Sequence, residues 1–566
     1  MKRKLLSIVL CLTLSAMALA GCGSAPSGQA AAPAASEAAG GAGDTAATAA
    51  PDSTKVSTTT NVPTSGAEKS DTIMKIATPQ SSETLDPVNG YDYWYMLRYG
   101  VCETLMKFNE DMTPSPWLVE EGYDVSEDKL TWNFTIKDNV TFSNGTPLTA
   151  EKVKASMERA ISDSATAGNF FKLKEIKADG QKLSITTEDP VPIMPYLLAD
   201  PVFVIYDTEN ISDIKEKGPI GTGPFVFSAF DPVSHDTSVV RNENYWDGDV
   251  KIGGIDFQII ADTVTLSMSM QNGELDAAYS LDVADVASFA NNPDYAVLTS
   301  PSGRTTFGFM NQADGKILND EKLRQAVIRA LDRPTYCSAL LYSQFIPGKT
   351  PLTSSLPYGY DELNDINAYD LEGAKKLLDE AGYADKDGDG FREDPSGKAL
   401  MIPITVYGSR VEIPLLGQAM QASLKEVGIN AEINNLDQST AWNMLTTGEY
   451  DILLMSISMA SSGDPENGLK SYFKTYDADN PNYNLSGYSS AEVDKLFEEL
   501  NVTFDIDKRI QIIKDIEQKL MDDSACIYLC YPIMNFVTKS NVTGVTSHTS
   551  DFYWVSKDTG FTTAAE

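Results

Sequence analysis

Histidine is nearly absent from this chain of 566 residues, which has two, His235 and His548. A site assembled from several imidazoles is therefore excluded, and a Ser-His-Asp or Cys-His hydrolase has only these two candidates for its base. The sequence also lacks G-x-S-x-G, H-E-x-x-H and G-x-x-x-x-G-K-[ST], so no nucleophile elbow, zinc helix or phosphate loop is written in it. Cysteine is scarce as well, at six, too few for a disulfide framework in so long a chain. Positive charge is short: 44 Lys and Arg stand against 80 Asp and Glu, a net charge of −36. Nucleic acid and anionic membrane surfaces are thereby excluded as general partners. The acidity serves cationic ligands or, more simply, solubility.

Only one apolar run approaches a membrane-related length, and it lies at the start. Lys2, Arg3 and Lys4 precede Leu5 to Leu19, the basic-then-apolar pattern of an export signal and too short to span a bilayer comfortably. Leu19, Ala20, Gly21 and Cys22 resemble the bacterial lipobox, which implies cleavage after residue 21 and lipidation of Cys22. Residues 23 to 70 are almost entirely Ala, Gly, Ser, Thr and Pro with a few charges. Such a segment cannot bury enough apolar surface to fold, and as a coil it spans about 35 to 40 Å. Once Cys11 and Cys22 are set aside, Cys102, Cys337, Cys526 and Cys530 remain. The last two sit in the apolar "ACIYLCYP" and read as buried thiols, with a redox or metal pair as the alternative.

The stretch "YADKDGDGFREDPSGK" places Asp385, Asp387, Asp389 and Gly390 at the spacing of an EF-hand loop. The twelfth position, where that loop needs a bidentate Glu, is Ser396, with Glu393 and Asp394 nearby. Both a structural calcium and a metal-free Asp/Gly turn fit this pattern.

In "LTWNFTI", Leu130, Trp132, Phe134 and Ile136 alternate with polar residues, the period of a half-buried strand. Thr149 caps a following helix that carries Glu151 in its first turn. Strands are also expected at "IDFQII" and "KALMIPITVYG". Helices are expected at "EKLRQAVIRALD", at "DLEGAKKLLDEAG" closed by Gly382, and at "DKRIQIIKDIEQKLMDD" with Ile510, Ile513, Ile516 and Leu520 in phase. Strands and helices without strict alternation predict α/β lobes around mixed sheets.

Several pieces then occur in a fixed order: "TLDP" (84–87), "TFSNGTPLTAEKV" (141–153), "PIGTGPF" (219–225), "NENYWDG" (242–248), "NGELDA" (272–277), "LRQAVIRALDR" (323–333) and "AKKLLDEAGY" (374–383). The series resembles the extracellular solute-binding proteins of ABC importers, in the family that includes the peptide and nickel binders (family 5). The resemblance covers residue 71 to about 540. It implies an α/β, two-lobed periplasmic-binding-protein-like fold, type II and of the large cluster C kind, with an extra subdomain on lobe one. Lobe one would take residues 71–308 and 528–566 and lobe two residues 309–527, crossing near "TTFGFMN" and "YLCYP". A ligand, a short peptide or other small polar solute, would be enclosed between the lobes by hinge closure.

The resemblance also implies site residues. Tyr91, Tyr93 and Trp94 lie in the aromatic segment from which relatives line the cleft. Peptide-binding relatives hold the ligand's ammonium with an Asp four residues before Pro465; here that position is Ser461, which argues against ordinary peptides. Asp464 follows in the same loop and reads as structural. Arg410, after a strand ending at Tyr407, and Arg304 are the candidate cations for a ligand carboxylate, with Thr306 and Ser458 as neighbouring polar groups. No catalytic residue and no cofactor beyond the possible calcium is expected. The partners implied are an ABC permease, its ATPase and, through the lipid, the outer face of a single membrane, with the protein acting as a monomer. A secreted hydrolase, or a sensing lipoprotein not coupled to transport, is the alternative.

Overall fold

This computed structural model describes residues 66–562, all within the unit Asp52–Glu566. The expected signal peptide, Cys22 and the tether up to residue 65 lie outside the described residues. Among the described residues no helix is long and apolar enough to cross a membrane.

Two sheets share one long strand. In the first, Ile73–Thr78 runs parallel to Gly254–Ile259 and Ala277–Tyr279, and Thr237–Arg241 and Phe225–Phe230 extend it antiparallel. In the second, Met401–Tyr407 runs parallel to Asn430–Leu436 and Ile452–Ser458, and Arg304–Met310 joins antiparallel. Cys526–Lys539 belongs to both. Its first part pairs with Arg304–Met310 through Thr306 opposite Cys530 and Phe309 opposite Cys526, and its second part pairs with Tyr295–Pro301 from Ile533 to Lys539. The run "CIYLCYPIMNFV" is apolar on both faces because a central strand is covered on both.

The partners change at Pro532. A proline has no amide to give a ladder, and it sits where one ladder ends and the other begins. The other passage between sheets, Ser302–Gly303, lies beside it: the Ser302 amide donates to the Pro532 carbonyl at 2.9 Å. The sequence-based boundaries after 308 and 527 therefore cut through Arg304–Met310 and Cys526–Lys539, whose mutual and lobe-two pairing spans 304–310 and 526–530.

A separate four-stranded antiparallel sheet, Asp124–Val125, Thr131–Thr135, Lys182–Thr187 and Leu173–Asp179, forms the subdomain. Trp132 and Phe134 are buried as their alternation demands, and helix Ala150–Asp163 starts at Thr149, whose hydroxyl accepts the Lys152 amide. Helices Glu321–Arg329, Leu371–Glu380 and Ile506–Asp522 occupy the predicted segments, with Leu323, Val327, Ile513, Ile516 and Leu520 buried.

Two of the ordered motifs serve one buried anchor. Glu103 accepts from Thr222 of "GTGPF" at 2.8 Å and from Tyr245 and Trp246 of "NENYWDG" at 2.6 and 2.8 Å. A Cβ on Gly221 or Gly223 would collide with the backbone of Val101 and Gly100, so only glycine allows this approach. Burial pushes Glu103 up to about 7 in spite of its three donors. The four cysteines Cys102, Cys337, Cys526 and Cys530 are free and buried, and burial raises the thiols of Cys102, Cys526 and Cys530 far above reactivity at neutral pH.

Burial also acts on Glu517, which accepts the Leu352 amide at 3.1 Å. Desolvation raises it to about 8. Because the folded value lies above the unfolded one, its stabilising contribution is complete below the ordinary carboxylate range and lost as pH rises toward 8. Thermal unfolding is expected to give a higher Tm at pH 5.5 than at pH 8.5, and Glu517→Gln to flatten that slope.

Candidate functional site

Between the two sheets lies a cleft of about 650 Å³, within the usual range for a small-molecule site. Helix Tyr93–Arg98 builds part of its lobe-one wall. Trp94 and Arg98, four residues apart and so on one helical face, both line the cleft, whereas Tyr93 turns into the core and is 2 % exposed. Arg98 is fixed by an ion pair to Asp551 at 2.5 Å and by stacking over Trp94, Tyr95 and Trp554 at 5.3, 5.0 and 4.7 Å. Its charge is thus already matched. Met112, Ser280 and Asp551 also line the cleft and adopt left-handed backbone at φ 65°, 60° and 63°, the sort of local strain that surrounding structure must hold in place.

The lobe-two wall is different. Arg304 opens its strand at the passage between lobes and donates to the Ser456 carbonyl at 2.9 Å, and among the described residues no carboxylate pairs with it. Burial and then the nearby Arg410 pull its guanidinium down to about 10. It still carries full charge at neutral pH. Arg410 reaches only Glu412, at 3.8 Å. Ser458, Ser461 and Gln438 complete this side. Two guanidinium groups close enough to repel each other, one of them without a carboxylate partner among the described residues, leave this part of the wall positively charged.

Of the expected site residues, Trp94, Arg304, Arg410, Ser458 and Ser461 line the cleft. Tyr91 is 66 % exposed and packs on Trp94 and Tyr93, outside the cleft wall. Thr306 and Tyr407 are enclosed. Thr306 lies mid-strand between Ser456 and Cys530, and Tyr407 turns its hydroxyl toward the Ser456 amide at 3.4 Å. Asp464 is also removed from the cleft, because Arg509 claims it at 2.8 Å and binds Glu466 at the same distance.

Arg98, Asp551 and Glu412 line the cleft without having been anticipated. The signal for Arg98 was present, four residues after Trp94 on a short helix. Asp551 and Glu412 had none, since only the fold brings them near the arginines.

The carboxylates of Asp385, Asp387 and Asp389 approach within 4.8 Å of one another and are exposed. The residues that would complete a calcium shell are engaged elsewhere: Glu393 accepts the Lys386 amide at 2.7 Å and the Ser396 hydroxyl donates to Asp394 at 2.6 Å. Only part of a calcium donor set is assembled. His548 accepts from Ser550 at 2.8 Å within its own turn, and burial lowers it to about 4. His235 bonds Ser81 at 3.3 Å.

Residues 113–480 match the family described as bacterial extracellular solute-binding proteins, family 5 Middle. The chain is 26 % identical to the nickel-binding protein NikA of Staphylococcus aureus, over 81 % of this chain and 88 % of that protein. To the glutathione-binding protein GsiB of Salmonella typhi it is 25 % identical, over 86 % and 92 %. The crystal structure of a nickel ABC transporter protein from Bacillus halodurans superposes with a TM-score of 0.75 at 28 % identity, covering 86 % of this chain and all of that one. These relatives are solute-binding proteins and not enzymes.

Proposed function

Because the chain belongs to the bacterial extracellular solute-binding proteins of family 5, we propose that it is the lipid-anchored capture component of an ABC importer for a small anionic solute. The observation that carries the proposal is Arg304, a cation in the cleft wall with no carboxylate partner among the described residues and a second guanidinium beside it. A ligand carboxylate or comparable anion would supply the missing charge. Of the ligands named for the relatives, glutathione is anionic at neutral pH. Nickel fits as cargo inside an anionic complex, since among the described residues no His or Cys lines the cleft. Ser461, where an acid would be needed for a peptide ammonium, and the cleft volume both favour a compact solute over a long peptide.

The role is one of binding and release. The sequence holds no G-x-x-x-x-G-K-[ST] phosphate loop, so a partner ATPase would drive transport, and the lobes would close about the passages at Ser302–Gly303 and Pro532. Native mass spectrometry of protein purified without denaturation tests the ligand class: one anionic mass supports the proposal, and a ladder of neutral or cationic peptides sinks it. Uptake of that solute persisting after deletion of the gene would refute the transport role. For the anchor, Cys22→Ala is expected to move the protein from the membrane fraction into the medium, as followed by fractionation and immunoblotting.

A further inference from the structure

The proposed function leaves Glu412 unused. Glu412 begins helix Glu412–Glu426 and lines the cleft, yet it is only 5 % exposed. Its one ion pair, to Arg410, is 3.8 Å long, well beyond the 2.7–2.9 Å of a charge-assisted bond. A carboxylate buried with so little compensation is costly. Burial raises its pKa for that reason, against the pull of Arg410 and Arg304. The lobe-two wall therefore presents two kinds of unfilled capacity side by side: guanidinium donors that want an anion and a carboxylate that wants a donor. On the lobe-one wall the corresponding charges, Arg98 and Asp551, already satisfy each other.

We propose that Glu412, with Arg304 and Arg410, makes the cleft selective for a ligand bearing a free α-amino-acid headgroup, Glu412 accepting its ammonium while the arginines take its carboxylate. The argument rests on the anion-binding reading above and narrows it. Arg410 and Glu412 are close enough that the ligand's two charges must also be close. In an α-amino acid one carbon carries both. In a linear α-peptide each added residue separates them by roughly 3.5 Å, so the two ends no longer meet one arginine–glutamate pair. A γ-glutamyl compound keeps the headgroup intact and leaves its remainder free to extend toward Trp94.

The test is a thermal-shift screen, followed by calorimetric titration, on the full chain. The probes are free L-amino acids, glutathione and other γ-glutamyl peptides, each beside the same molecule without its α-amino group, together with α-linked dipeptides. At least one compound with the free headgroup is expected to raise Tm, and its desamino partner to bind at least tenfold more weakly. Glu412→Gln is expected to erase that difference while the protein keeps its Tm, and Arg304→Ala to weaken both. Equal binding of headed and desamino compounds by the parent protein overturns the inference, as does tighter binding of the headed compounds by Glu412→Gln, which would make Glu412 a mere counter-ion. A screen in which no free headgroup binds overturns it too. Arg304-dependent binding of desamino acids would leave the anion-import reading standing, whereas binding of neutral or cationic probes alone would remove both.

Discussion

Arg304→Ala is expected to weaken ligand capture at least a hundredfold, close to 3 kcal/mol, without lowering Tm. The size follows from what the ligand supplies. Truncating one partner of an enclosed, hydrogen-bonded charge pair costs about 2 to 5 kcal/mol, because the partner's anion is left in the cleft without its donor. The unchanged Tm follows from the ligand-free state, where burial and Arg410 already disfavour this guanidinium and the one bond lost, to the Ser456 carbonyl, contributes about 1 kcal/mol. Relief from desolvation and repulsion offsets it. Arg304→Lys is expected to recover only part of the affinity, since an ammonium keeps the charge and loses the planar fork. Calorimetry with the co-purified ligand, after its removal, reads the affinity, and unfolding of the ligand-free variant reads the stability. A variant that binds as tightly as the parent would disprove the anion receptor.

The largest loss of stability is expected from Arg509→Ala, about 3 to 5 kcal/mol in denaturant unfolding. Arg509 is 3 % exposed and joins Asp464 and Glu466, which are 3 % and 4 % exposed, and it also donates to the carbonyls of Leu500 and Thr503 at 2.7 and 3.2 Å. Removing one member of such a group strands buried charge. Lys470, 2.5 Å from Glu466, keeps one carboxylate matched, while Asp464 is left with only the Glu466 amide. Burial already raises Asp464 against the pull of Arg509. Without Arg509 its folded value moves further above the unfolded one, so the deficit is expected to be greatest at neutral pH and to shrink as pH falls into the carboxylate range. Adding Asp464→Asn to Arg509→Ala is expected to restore a large part of the loss. If the double variant is no more stable than the single one, stranded charge is not the cause. Because Ser461 lies in the loop that Asp464 closes, a modest fall in ligand affinity is expected alongside.

Elements whose burial is set by a repeat along the chain were legible before any coordinates. The alternation in "LTWNFTI" and the helical phase of Ile513, Ile516 and Leu520 report which face meets the core, and short-range geometry fixes both periods. The order of the motifs pointed to the two lobes, and two of them, "GTGPF" and "NENYWDG", converge on buried Glu103, away from the cleft wall. Within the site, Trp94, Arg304 and Arg410 could be named because they are unusual where they stand: an aromatic in a crowded segment and cations in an acidic chain. Tyr93, Tyr407 and Thr306 could not be told from them, since the segments that hold them give no sign of which side the other lobe covers.

The sequence by itself determined the solute-binding family, the α/β class, the buried free thiols and the poverty of imidazole that rules out a multi-histidine site. Each of these depends on residue type or on local period. Tertiary structure alone decided which charges are already spent. Arg98 meets Asp551 across a separation of 453 residues, Asp464 and Glu466 are consumed by Arg509, and Arg304 is left with Arg410 and Glu412 for company. Charge pairing depends on distance in space, and a few ångströms between groups far apart along the chain separate an arginine held by a carboxylate from one without such a partner.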